Sequence, residues 1–81
     1  MKTKKCYLSE LKVGESARVI ALKEENKAIR RHLLDMGITR GVVVTIKKIA
    51  PAGDPIDIWL RDYELCISKA DMNKIVVEVL K

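Results

Sequence analysis

Residues 30–41 read RRHLLDMGITRG and contain the only histidine of the chain. His32 and Asp35 are three positions apart, so on a helix they would share one face and could give two ligands to a divalent cation. Cys66 could add a sulfur ligand, but no Cys-x-x-Cys or His-x-x-His spacing accompanies it. A structural zinc site uses four ligands. The sequence therefore predicts no required cofactor, and at most weak binding of Fe²⁺ or Zn²⁺ by these three residues.

Catalytic chemistry has few candidates in this chain. His32 is the only histidine base, and its alternative role is structural, because a charged histidine near the C-terminus of a helix interacts favourably with the helix dipole. Cys66 is predicted in the middle of a strand, where side chains are usually packed. The four glycines are isolated, so they do not form a phosphate-binding loop, and no Ser/His/Asp grouping is present. The sequence predicts a binding protein rather than an enzyme.

Three arginines and one tryptophan are the predicted partner-binding residues. Arg30, Arg31 and Arg40 flank the predicted helix. They form either a solvated face or a docking patch for an acidic protein surface, which would speed association more than it would deepen affinity. Trp59 lies on the strand face opposite the alternating apolar residues Ile56, Ile58 and Leu60, so it either covers a second core edge or anchors an interface. Both alternatives remain open for each group.

Composition narrows the class of partner. The formal net charge of +5 allows an alternative function, that of a basic small-barrel nucleic-acid-binding protein, whose affinity would fall steeply with salt. Only 4% of the residues are aromatic, so platforms for base stacking are scarce and no nucleic-acid partner is expected. No stretch approaches the ~20 apolar residues that cross a bilayer. We therefore expect a cytoplasmic protein with no direct membrane insertion.

The elements that must position these residues can be predicted from periodicity. Ser16 to Leu22 alternates as a strand does. Asn26 is the predicted helix N-cap, and Ile29, Leu33 and Met36 form one apolar stripe of helical period. Gly37 is placed to end this helix in the left-handed conformation, with Ile38 folding back on Leu33.

The rest of the chain is predicted to be mainly β-structure. Strands are expected at 42–49, 56–61, 63–68 and 75–80, with residues 63, 65 and 67 facing inward and a short helical turn before the last strand. The turn residues are Gly14, Gly37, Gly41 and Pro55. Because the strands are short, they must curl to hide their edges. Residues 1–81 are therefore expected to form a single domain, a small barrel of about five short strands with one short α-helix after the first long strand.

An ordered set of motifs resembles a known family. Leu8, Leu11 and Gly14 match an opening Leu-x-x-Leu-x-x-Gly, and residues 33–44 resemble a central Leu-x-x-Leu-Gly-Leu-x-Pro-Gly-x-x-Val. Residues 53–60, 63–67 and 75–77 resemble the closing hairpin and last strand. The set is similar to that of the FeoA family, small cytosolic accessory proteins of the FeoB ferrous iron transporter.

The resemblance has structural and functional implications. It implies an SH3-like barrel that binds or regulates a FeoB-like ferrous iron permease, at its cytosolic GTPase or pore region, and so lies at the inner face of the cell membrane through that partner. It also implies an association with transition metals. Two departures concern turns: Arg40 stands where the family usually has proline, and Asp62 replaces a usual glycine, which would strain the backbone if that position needs a positive φ.

Overall fold

The computed structural model describes residues 4–80, which fold as one antiparallel sheet with two short helices. Spatially the strands are ordered β1-β6-β2-β3-β4-β5, and every neighbouring pair is antiparallel. The elements are β1 (Lys4–Tyr7), a 3₁₀ turn (Leu8–Glu10), β2 (Ser16–Leu22), α1 (Lys27–Asp35), β3 (Val43–Ile49), β4 (Ile56–Leu60), β5 (Tyr63–Ile67), α2 (Lys69–Met72) and β6 (Ile75–Val79).

The mainly β architecture with α1 after the first long strand is confirmed, and the sheet has one strand more than the five predicted. The additional strand is β1, whose sequence KKCY lacks the alternation of an amphipathic strand. It forms because β6 offers it a free edge, in a register that pairs Lys4 with Val79 and Tyr7 with Val76. The extended conformation of β1 is therefore determined by its pairing with β6 and not by its own sequence.

One face of the curled sheet encloses the core. In β4, Ile56, Ile58 and Leu60 are buried, as their alternation predicted. In β5, Ile67 is buried and Leu65 is half-buried, but Tyr63 stays exposed at the rim of the sheet. Its hydroxyl donates a hydrogen bond to the carbonyl of Met36 at 2.7 Å, just after α1. Tyr63 pairs with the buried Leu60 and so shares the inward face, but at the rim of the sheet it is only partly covered.

Local signals define both ends of α1. The Asn26 side chain accepts hydrogen bonds from the amides of Ala28 and Ile29 at 2.9 and 3.3 Å, which confirms the predicted N-cap. At the other end the Ile38 amide donates to the Leu33 carbonyl at 3.1 Å, the six-to-one bond of a Schellman stop. These bonds satisfy groups that the helix itself leaves unpaired.

The predicted apolar stripe of α1 is correct in two of its three positions. Leu33 is 0% exposed and Met36 is half-buried against the core, whereas Ile29 is 40% exposed. The helix therefore docks on the core through its C-terminal half, where the Schellman stop brings the buried Ile38 back to Leu33. Ile29 lies one turn nearer the N-terminus and is left facing solvent.

The turn between β4 and β5 consists of two residues, Arg61 and Asp62. The positive φ, 54°, belongs to Arg61. Backbone strain was expected at Asp62, where the family usually has glycine. Because the positive φ lies at Arg61 instead, the replacement of glycine by Asp62 does not cause that strain. A left-handed first residue is what a two-residue hairpin connection of matching twist requires.

Glu24 connects the segment before α1 to the turn before β6. Its carboxylate accepts hydrogen bonds from the Asn26 amide and from the Lys74 ammonium, both at 3.0 Å. The Lys23 amide also donates to the Lys74 carbonyl at 2.6 Å. The hydrogen bond from Asn26, followed by the one from Lys74, lowers the pKa of Glu24 from its ordinary value of 4.5.

Glu24→Gln is expected to lower the melting temperature in a pH-dependent way. Because the folded pKa is depressed, the ionised carboxylate contributes stability that is present above pH 4.5 and is lost as the pH falls through the folded pKa. The difference between wild type and variant should therefore be largest near neutral pH and shrink in acid. Thermal unfolding followed by circular dichroism from pH 3 to 7 measures this. Glu25→Gln is the control, and a difference that is constant with pH would contradict the assignment.

Candidate functional site

A groove of about 200 Å³ lies between β2 and α1. Its lining combines four consecutive residues of β2, one leucine of α1 and two arginines. The complete set is Val19, Ile20, Ala21, Leu22, Arg30, Leu34 and Arg40. Thus the structure brings two of the predicted partner-binding residues, Arg30 and Arg40, to one apolar concavity.

The turn that carries Arg40 is fixed on β2 by backbone hydrogen bonds. The Gly41 amide donates to the Val19 carbonyl at 2.7 Å, and the Val19 amide donates to the Val42 carbonyl at 2.9 Å. Immediately afterwards, the register of β2 against β6 shifts between Val19 and Ala21. Such a bulge re-aims side chains locally. It leaves Ile20, Ala21 and Leu22 only half-buried and available as a groove wall.

The opposite wall comes from one face of α1. Arg30 and Leu34 are four positions apart and therefore adjacent on the helix surface. Leu34 is 39% exposed although it is fully apolar. The apolar periodicity does not single out Leu34, because this residue falls outside the stripe of Ile29, Leu33 and Met36. Its i, i+4 spacing from Arg30 is the signal that could have identified it.

The three predicted partner-binding arginines, Arg30, Arg31 and Arg40, differ in their electrostatic environment. Arg31 forms an ion pair with Asp35, four residues later, with Nε and Oδ1 3.6 Å apart. The ion pairs found among residues 4–80 involve neither Arg30 nor Arg40. The groove therefore presents two guanidinium groups without an internal counter-charge beside aliphatic side chains. Such a site can accept an anionic group attached to an apolar one.

Trp59 lies apart from the groove lining, on the outer face of β4. It is 40% exposed. The Nζ of Lys47 lies 4.9 Å from the centre of its ring, and the same ammonium pairs with Glu64. The cation–π contact covers part of the indole. Its role as an interface anchor stays a prediction.

The predicted metal ligands lie on two separate elements. His32 and Asp35 are exposed on α1, and Cys66 is exposed on β5 opposite Asp57. A hydrogen bond with the Asp57 carboxylate raises the pKa of the Cys66 thiol above its ordinary value of 9.0. Metal binding needs the thiolate. Residues 4–80 contain no group of three or more His, Cys, Asp or Glu side chains that could hold a metal ion, so the donors do not fit a structural metal centre.

The predicted turn residues occupy special backbone conformations. Gly14, Gly37 and Gly41 have φ of +90°, +100° and +93°, and Pro55 follows a cis peptide bond from Asp54. Gly37 has a second constraint, because a Cβ there would overlap the Tyr63 hydroxyl. The Cβ positions of Gly14 and Gly41 meet open space.

Comparison with known proteins identifies the family. A model of the FeoA domain matches residues 6–79. The chain belongs to the FeoA family. It is 36% identical over 73 residues to the Fe(2+) transport protein A/Fe(2+) transporter FeoB fusion protein of Porphyromonas gingivalis. That match covers 90% of this chain and spans 8% of the length of the fusion protein.

Solved structures of other FeoA proteins share the fold of this FeoA chain. The solution structure of a FeoA-like protein from Clostridium acetobutylicum is 41% identical, with a TM-score of 0.89, and the match covers 99% of this chain and 92% of that one. FeoA of Stenotrophomonas maltophilia, a prokaryotic SH3 domain protein solved in complex with zinc, is 27% identical, with a TM-score of 0.76 and coverages of 89% and 88%. The SH3-like barrel expected from the family resemblance is confirmed. None of the helices within residues 4–80 has the length and apolar character needed to span a membrane.

Proposed function

We propose that this chain is a cytosolic accessory protein of ferrous iron uptake that binds a FeoB-type permease and regulates it. The observation that carries the proposal is the groove, in which Arg30 and Arg40 flank an apolar surface without internal counter-charges. Arginine beside apolar surface is enriched in the energetically important centres of protein interfaces. The role is that of a binding module and not of an enzyme.

The fused relative supports the choice of partner. In the Porphyromonas gingivalis protein a matching domain and a FeoB transporter belong to one polypeptide. A covalent link gives two domains a high effective concentration, so that even weak docking is populated. Docking between two such domains still needs a complementary surface on each of them. The groove is the best candidate for that surface, and binding there would place the protein at the inner face of the membrane through its partner.

Regulation would follow from unequal affinity for the conformations of the permease. A ligand shifts an equilibrium only to the extent that it binds one state better than the other. We expect the docked module to bias either the cytosolic GTPase region or the pore region of the permease. A metal cofactor is not required for this role, and weak binding of Fe²⁺ or Zn²⁺ at His32, Asp35 or Cys66 would be incidental to it.

Direct titration tests the proposal. The full-length FeoB-type permease of the same organism, in lipid nanodiscs, and its isolated cytosolic region are titrated with this chain by isothermal calorimetry. Saturable binding that weakens as salt rises from 50 to 300 mM is expected, because the docking surface is cationic. Binding to neither preparation would refute the proposal. A parallel titration with single-stranded RNA and DNA tests the rival function, which predicts tighter binding to the oligonucleotides.

A further inference from the structure

We infer that the groove between β2 and α1 binds a short peptide segment in which an acidic side chain stands next to a branched aliphatic one. The inference deepens the proposed function and rests on it, since it names the surface and the chemistry by which the partner is recognised. The occupant is a segment of the partner protein. Three features of the groove carry the inference: its size, its unpaired charges and its rigid walls.

The size of the groove suits aliphatic side chains. A second hollow of about 560 Å³ adjoins it through Leu22 and Arg30, and the groove itself measures about 200 Å³. Its apolar lining consists of Val19, Ile20, Ala21, Leu22 and Leu34. One or two aliphatic side chains of a partner would fill this volume and remove the exposed surface of Leu34 from water, which is favourable in proportion to the apolar area covered.

The charges select an acidic neighbour for that aliphatic group. Arg30 and Arg40 come from different elements and line the same groove. A guanidinium binds a carboxylate through two parallel hydrogen bonds, and the low polarity of the adjoining aliphatic wall strengthens the attraction. Arg31, one residue away on α1, already has Asp35 as its counter-charge. Arg30 and Arg40 therefore differ from Arg31 in position and pairing, although all three carry the same charge.

The walls of the groove are set before any partner arrives. On one side, the hydrogen bonds of Val19 with Gly41 and Val42 hold the turn that carries Arg40. On the other side, the cap at Asn26 and the buried Leu33 hold α1. Preformed walls reduce the entropy lost on binding. The adjoining hollow is lined by Lys23, Glu24, Glu25 and Lys27 as well as by Leu22 and Arg30, so an extended segment has a surface of mixed charge to follow beyond the first one or two residues.

Nucleic acid fits the groove less well. Phosphates would satisfy the arginines, but the lining is aliphatic and contains no aromatic ring on which a base could stack. The exposed Trp59 lies on β4 and is not part of the lining. A peptide uses both the apolar and the cationic parts of the groove, whereas a nucleic acid uses only the cationic part.

Selection from a peptide library tests the inference without assuming the permease. Phage-displayed random dodecapeptides are selected on the wild-type chain, and the selected peptides are synthesised and titrated by fluorescence anisotropy. We expect enrichment of Asp or Glu beside Leu, Ile or Val. Selection of no sequence, or of sequences without this pair, would overturn the inference, as would competition of the selected peptides by a short oligonucleotide.

Matched variants locate the binding site. Arg30→Ala, Arg40→Ala and Leu34→Ala should each weaken binding of the selected peptides by about tenfold, the loss typical of an interface hot spot. Arg31→Ala controls for charge, and Ile29→Ala controls for an equally exposed apolar residue of the same helix. Both controls should change affinity by less than about twofold. Thermal unfolding verifies that each variant is folded. Equal losses of peptide affinity in variants and controls would refute the groove as the binding site.

The same variants, titrated against the permease, separate this inference from the proposed function. If wild type and all variants bind the permease equally well, the groove is not the binding site, but the proposed function is supported. If the peptides bind the groove but the permease does not bind at all, the proposed function is refuted, but the groove remains a peptide-binding site. Competition between a selected peptide and the permease would support both.

Discussion

Gly37→Ala is expected to lower the free energy of unfolding by about 2–3 kcal/mol, because it combines a strained backbone with either an overpacked contact or a lost hydrogen bond. Gly37 has a φ of +100°, and a Cβ at this position would overlap the Tyr63 hydroxyl. That hydroxyl can move aside only by giving up the hydrogen bond that it donates to the Met36 carbonyl at the end of α1. Urea unfolding at equilibrium measures the loss, which would be a large part of the stability of a small domain.

Gly41→Ala provides the matched control for this effect. Gly41 has a φ of +93°, but its Cβ would meet open space. Its substitution should therefore cost only the backbone part, about 1–2 kcal/mol. A Tyr63→Phe background removes the overlapping oxygen, so Gly37→Ala should cost less there than in wild type. Equal costs for Gly37→Ala and Gly41→Ala would contradict the steric explanation.

Leu33→Ala is expected to destabilise the protein by about 2–5 kcal/mol, the range for a leucine truncated in a closely packed core. Leu33 is 0% exposed and is the buried residue of α1. Its loss leaves a cavity at the point where the helix docks on the sheet, and α1 supplies one wall of the arginine-flanked groove. We therefore expect weaker peptide binding as well as lower stability.

Ile29→Ala is the control for Leu33→Ala on the same helix. Ile29 is 40% exposed, so its truncation should change stability by no more than about 0.5 kcal/mol. Urea unfolding of both variants under identical conditions gives the comparison. If both substitutions cost the same, the helix would have to pack through the whole predicted stripe rather than through its C-terminal half.

Local patterns were sufficient to predict much of this fold. The alternation of Ile56, Ile58 and Leu60 predicted their burial, because side chains of a strand alternate between faces whatever its neighbours are. The N-cap at Asn26 and the stop at Gly37 were also predictable, since each signal acts within a few residues of the chain. These features need no knowledge of which strands pair.

Features that depend on distant parts of the chain could not be predicted in this way. The strand at Lys4–Tyr7 forms because β6 offers an edge with which it can pair. Tyr63 lies at the rim of the sheet, where its hydroxyl donates a hydrogen bond to the carbonyl of Met36 at the end of α1. The convergence of Arg30 and Arg40 depends on how the turn after α1 is held on β2. The pairing of Arg31 with Asp35, by contrast, follows from an i, i+4 spacing that is visible in the sequence.

The strand order has a consequence for the route by which the protein folds. β6 is sixth along the chain, yet it lies between β1 and β2 and pairs with both. The first strand thus has no partner until the sixth has been synthesised, and loop closure over this separation is slow compared with forming a local hairpin. On the ribosome, β2 to β5 can assemble early, while Lys4–Tyr7 must wait for nearly the whole domain to emerge. The edge that β6 finally covers on β2 is until then open to pairing with other nascent chains.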